Sequence, residues 1–145
     1  MVPTLFGRIQ TRLWLLAGIG GLITVLLTPV LPMRAALSDK YQTTFVVLGS
    51  VAVIGVVWEL LYHLLMQWRW EKDWPTLLGL VTGIPEGLLV GYLATQGLLP
   101  FLPGPASPGA FAVHFVVVWL AVWLVANGPM RVPFIRWRFN GGRLL

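Results

Sequence analysis

Glu59, His63 and Glu86 are ionisable side chains inside long apolar stretches of this chain, and any chemistry must start from them. A charged group near the bilayer centre costs several kcal/mol, so such residues face protein or water and often mark a pathway. Glu59 and His63 stand four residues apart, which puts them on one face of a helix. Glu86 directly follows Pro85 in the run PTLLGLVTGIPEGLLVGYLATQGLL, and Thr82 lies one turn before it. At 1.5 Å per residue, Glu86 sits roughly 15 Å and Glu59 roughly 10 Å from the same end of two antiparallel spans. The spacing predicts that the two carboxylates meet, that the Thr82 hydroxyl bonds to Glu86, and that His63 extends a polar file outward. Two carboxylates close together in low dielectric resist double ionisation, so the pair is expected to hold a proton. A structural tie between helices is the alternative use of the same groups.

The helix that carries Glu86 has a second feature. Gly79, Gly83, Gly87 and Gly91 recur every fourth residue, with Thr95 continuing the row. On an α-helix this spacing makes one small-residue ridge, where another helix can approach closely. The ridge serves packing within the chain, between copies, or against another subunit.

Other chemistries lack their residues. With no cysteine there is no disulfide, thiolate metal site or iron–sulfur cluster. Two glutamates and one histidine make an oxygen-rich set, but no second helix carries a Glu-x-x-His pair, so neither metal nor cofactor is assigned. The glycines are helix-spaced and lead to no Lys-Ser or Lys-Thr pair, which excludes a phosphate-cradling loop. No nucleophilic triad can be assembled, and the chain is expected not to be an enzyme.

The elements that position these groups follow from composition. Of 145 residues, 57% are hydrophobic and 10% charged, with mean hydropathy +0.81. A soluble surface needs about 25% charged residues, so the expected fold is an all-α integral membrane bundle forming a single domain over 1–145. Four apolar runs, at about 13–33, 44–66, 76–99 and 110–130, each have roughly the 20 residues that cross a bilayer. Residues 2–12 read as a short interfacial helix ahead of the first span, with Arg8 and Arg12 four apart. Residues 34–43 read as a polar connection, and the Trp68, Trp70 and Trp74 segment as a membrane-surface loop. His114 falls near the start of the fourth span.

Lysine and arginine placement sets the orientation. Arg8, Arg12, Arg69, Lys72, Arg131, Arg136, Arg138 and Arg143 fall on one side, against Arg34 and Lys40 on the other. The positive-inside rule then places both termini in the cytoplasm, and the arginine and tryptophan usage points to a bacterial inner membrane. The net charge of +5 lies at the ends of the apolar runs, so anionic head groups are the expected partner of Arg131, Arg136, Arg138 and Trp137. Glu71 and Asp73 cancel the basic charge of the Trp-rich loop, which argues against nucleic acid.

The leading functional expectation is a packing or assembly component, either homo-oligomeric or an accessory subunit of a membrane complex. Two alternatives stand beside it: a small proton-coupled transporter or channel using Glu86 and Glu59, and binding of a lipid or hydrophobic cofactor between helices.

Overall fold

The structure is a computed structural model that describes residues 4–68 and 76–144. Among these residues every regular element is helical. Four helices are long and apolar enough to cross a membrane: Leu5–Val30, Leu37–Gln67, Thr76–Thr95 and Pro108–Arg131.

The first of these begins earlier than the apolar run suggests. Thr4 caps it, its hydroxyl accepting the Gly7 amide at 3.0 Å. Helix α1 (Leu5–Leu15) passes through a π-helical turn at Leu16–Gly20 into α2 (Gly21–Leu27) and a 3₁₀ turn at Thr28–Val30. The expected interfacial helix and first span therefore join in one continuous helical segment, Leu5–Val30, which ends short of residue 33; residues 2 and 3 lie outside the described residues. Arg8 and Arg12 lie in the first turns of that helix with their side chains largely buried. The cause is pairing: both arginines turn inward onto carboxylates of other helices.

Helix α3 (Leu37–Gln67) is 31 residues long, about 46 Å at the α-helical rise, so it exceeds the hydrocarbon thickness. Its first two turns take up much of the expected polar connection. The Thr43, Thr44 and Ser50 hydroxyls bond back to carbonyls of their own helix. The third spanning segment is interrupted at Thr82, giving α4 (Thr76–Val81) and α5 (Gly83–Thr95). Pro85 has no N–H and withdraws the partner of the Val81 carbonyl. Helix α5 stops at Thr95, not 99, because Gly97 adopts φ +70°. The Leu98 amide then bonds the Leu93 carbonyl at 2.8 Å and the Gly97 amide that of Ala94 at 3.2 Å, the paired bonds of a glycine C-cap. Helix α6 (Pro108–Asn127) follows, then a 3₁₀ turn at Pro129–Arg131 and the short α7 (Ile135–Phe139). Of the Trp-rich loop, Trp68 is exposed and residues 69–75 lie outside the described residues.

The glycine row finds its partner inside the chain. Phe111, Phe115, Trp119 and Trp123 of α6 also recur every fourth residue, and each ring lies against one glycine of the α4–α5 segment. The rings stack on one another, with centroids 5.6 Å apart for Phe111–Phe115 and 5.5 Å for Phe115–Trp119. A Cβ at Gly87 would come within 2.7 Å of the Phe115 ring, and one at Gly91 within 2.7 Å of Phe111. Behind this seam Leu16, Val47, Leu48, Val51, Val90 and Val118 form the buried apolar core.

Complementarity of this kind has a measurable consequence. Gly87→Ala should lower thermal stability in detergent, with an overpacking loss of about 1–3 kcal/mol. Gly49, which has nothing within 4 Å of an added Cβ, is the control, and Gly49→Ala should stay within about 0.5 kcal/mol of the parent. Equal effects at the two positions would contradict the seam.

Candidate functional site

Arg12 of α1 joins both membrane carboxylates. Its Nη1 donates to Glu86 Oε2 at 2.6 Å and its Nη2 to Glu86 Oε1 at 2.8 Å, a two-pronged pairing. Its Nε donates to Glu59 Oε1 at 2.9 Å. Arg8, one turn earlier, donates from Nε to Glu59 Oε2 at 2.7 Å, and its Nη1 rests against the Met66 sulfur. The Tyr62 hydroxyl donates to Glu86 Oε1 at 3.1 Å and also lies 3.2 Å from the Thr82 carbonyl. Two guanidiniums and two carboxylates thus form one network that links α1, α3 and α5.

The local sequence makes room for it. Gly55 of α3 is buried beneath Arg12, and a Cβ there would run into the guanidinium. Trp119 stacks over Arg12, with the guanidinium carbon 5.6 Å from the ring centroid, and Tyr62 faces Arg8 at 6.0 Å. Glu86 itself is only 1% exposed. An isolated carboxylate at that depth would be very costly, and the paired guanidinium compensates it.

The network forms one side of a cavity of about 270 Å³. Arg8, Arg12, Glu59 and Tyr62 line the charged side, and Trp119, Trp123 and Trp137 contribute ring faces. Each indole N–H is already committed: Trp119 to the Leu80 carbonyl at 3.2 Å, Trp123 to the Thr76 carbonyl at 3.0 Å, and Trp137 to the Thr11 hydroxyl at 2.7 Å. Glu86 does not line the cavity; it sits behind Arg12.

The C-terminal tail closes over the start of α1. The Thr4 amide donates to the Gly141 carbonyl at 2.9 Å, the Thr11 hydroxyl to the Gly142 carbonyl at 2.9 Å, and the Leu144 amide to Gln10 Oε1 at 2.9 Å. Gly7 permits this approach, since a Cβ there would collide with the Gly141 carbonyl. Gly141 and Gly142 take φ +62° and +81°, the left-handed region that suits glycine.

The expected site residues therefore divide. Glu59 and Glu86 do converge, each on the guanidinium of Arg12. Thr82 does not bond Glu86 through its hydroxyl, which donates to the Gly79 carbonyl at 3.0 Å. His63 is outside the network, its Nε2 lying 3.4 Å from Gln67 Nε2. Trp137 is half-buried at the cavity, with its indole N–H on the Thr11 hydroxyl. Arg131, Arg136 and Arg138 are exposed, with Arg131 bonded to Asn127 Oδ1 at 3.1 Å and Arg138 stacked over Phe139.

Arg8 and Arg12 are site residues that the apolar pattern alone does not place here. A signal was available: two arginines at helical spacing, matched in number to two membrane glutamates, are more economically read as partners. A second buried polar group lies toward the opposite end of the helices. There His114 Nε2 is 2.8 Å from the Thr24 hydroxyl, and Thr28 bonds Thr44 at 2.9 Å. Apolar side chains including Leu16, Val51 and Val118 fill the space between the two groups.

Arg12→Leu leaves two carboxylates short of a partner and should cost about 3–5 kcal/mol of stability. The double variant Arg12→Leu, Glu86→Leu keeps the Arg8–Glu59 pair and should unfold at a higher temperature than Arg12→Leu alone. Additive losses in thermal unfolding of the four-member cycle would show that the pair is not coupled.

No protein-family model matches the chain, and no curated protein or solved structure matches it, so its function is argued from this geometry.

Proposed function

We propose that this is a non-enzymatic multi-pass protein of a bacterial inner membrane that moves a small solute in exchange with, or together with, protons. The observation that carries the reading is the network itself. Two carboxylates from different helices share one buried guanidinium at the wall of a cavity. Protonating either carboxylate would release part of Arg12, so proton binding and the shape of the site are linked by charge. The groups that would change partners sit on three separate helices, which is what a moving site requires.

Both termini are assigned to the cytoplasm. Arg8 and Arg12 no longer count toward surface charge, yet Arg69, Lys72, Arg131, Arg136, Arg138 and Arg143 still outweigh Arg34 and Lys40. The exposed arginines of the tail would rest on anionic head groups.

The assembly reading keeps one observation of its own. An apolar groove of about 570 Å³ runs between α5 and α6, with Gly83, Gly87 and Gly91 along it and Leu88, Tyr92 and Val116 at its rim. A second copy or another subunit would fill it. The glycines, however, are already covered by the α6 rings, which removes the main reason for expecting a partner there. Native mass spectrometry after gentle extraction separates the cases: a dimer or heteromer supports assembly, and a monomer removes it.

Transport is tested in proteoliposomes holding a pH-sensitive dye and offered a panel of small cations, neutral molecules and anions. The parent protein should change the lumenal pH with at least one solute, and Glu86→Gln should reduce that change at least about tenfold, a barrier of roughly 1.4 kcal/mol. A parent protein that moves no protons with any solute contradicts the reading.

A further inference from the structure

We infer that the cavity takes one small organic anion together with one proton held by Glu86; this rests on the transport reading and names its substrate class. The charges of the network balance, two guanidiniums against two carboxylates. In so buried a place an uncompensated added charge is costly. A cation entering alone would unbalance the site, and the carboxylates it would seek are held by arginines that cannot leave the chain. A proton on Glu86 instead converts a carboxylate to a neutral acid and frees Arg12 Nη1 and Nη2 from it. Once released, the guanidinium can turn those nitrogens from Glu86 toward the cavity, where an anion restores the balance, so proton and anion enter as a neutral pair.

Position supports the same order. Arg12 lines the cavity, while Glu86 lies behind it, reached through the guanidinium and the Tyr62 hydroxyl. The ligand therefore meets the arginine, and the proton sits on the far side. The groups facing Glu86 are Arg12 with Arg8 beyond it from α1, Glu59 and Tyr62 from α3, and the Thr82 carbonyl before α5. On the cavity side of Arg12, α6 and the tail contribute Trp119, Val122, Trp123, Ala126, Asn127 and Trp137, none of which titrates. A planar guanidinium that now holds a carboxylate in two-pronged fashion suits a ligand carboxylate by the same geometry.

The walls define the rest of the ligand. Because the three indole N–H groups are bonded within the protein, the rings offer faces and not donors. An aromatic or aliphatic body fits against them. About 270 Å³ lies just below the range of about 300–1,000 Å³ found for drug-sized ligands, so the body is small.

The probe is benzoate, with benzylamine and benzamide as the cationic and neutral comparisons and octanoate as an acyl-chain carboxylate. Calorimetric titration of the purified full chain, in two buffers of different ionisation enthalpy, counts protons taken up per ligand. Between pH 6 and 8 benzoate is ionised, since carboxylates titrate near about 4. The expected result is close to one proton per benzoate and an affinity that falls about tenfold for each unit rise in pH. Glu86→Gln should bind benzoate with no proton uptake and no such pH dependence. Binding of octanoate but not benzoate, again with one proton, supports the inference and assigns the carboxylate to an acyl chain.

Benzoate or octanoate binding without proton uptake by the parent overturns the inference, whether or not the variant folds. Benzylamine or benzamide binding with both carboxylates excluded also overturns it, while proton movement driven by those solutes in vesicles would leave the transport reading standing. If no probe binds and no solute of the panel moves protons, both fall.

Discussion

Arg12 is held between Glu59 and Glu86, and the other features of the site depend on that placement. Its three nitrogens are directed at carboxylates carried by two other helices. Apolar side chains in a membrane give little preference for one helix register over another, because lipid is as apolar as they are. A buried ion pair has only a narrow set of geometries in which it is not severely costly. The network therefore fixes α1, α3 and α5 in depth and rotation relative to one another. Gly55 and Trp119 complete the enclosure, one by leaving space and the other by covering the guanidinium.

The seam between the glycine row and the α6 aromatics holds the remaining helix. Here the constraint is shape, with each ring lying where a methyl group would otherwise be. Close approach of this kind substitutes for the hydrophobic force that is missing between helices in lipid. The two constraints meet at Trp119, which packs on Gly83 and also stacks over Arg12. The walls of the cavity come from the ionic network, the aromatic ridge and the C-terminal strap.

Much of this was legible in the chain itself. Four spanning runs, the meeting of Glu59 and Glu86, and the close-packing use of the glycine row follow from spacing and composition. The helix ends were less legible, because Thr4 and Gly97 set them through capping bonds and not through hydropathy. Arg8 and Arg12 look like head-group anchors when each helix is taken alone, and become buried only once the acids of other helices are counted against them. The contact of Trp137 is hidden for a related reason. Its indole satisfies Thr11, more than a hundred residues away in sequence, and local pattern carries no trace of that contact. The α6 ridge was readable in principle, since its period of four matches the glycines it covers.

The most direct test of the account is the Arg12–Glu86 contact in a lipid bilayer. Solid-state NMR dipolar recoupling, with ¹⁵N in the arginine side chains and ¹³C in the glutamate carboxyl carbons, measures it without disturbing the protein. Assignment by comparison with Arg12→Lys isolates the relevant signal. The account predicts a nitrogen-to-carboxyl distance of about 4 Å or less that vanishes in the variant. Recoupling that is absent in the parent, with both residues ordered, would mean that Arg12 and Glu86 are not paired and that the site described here does not form.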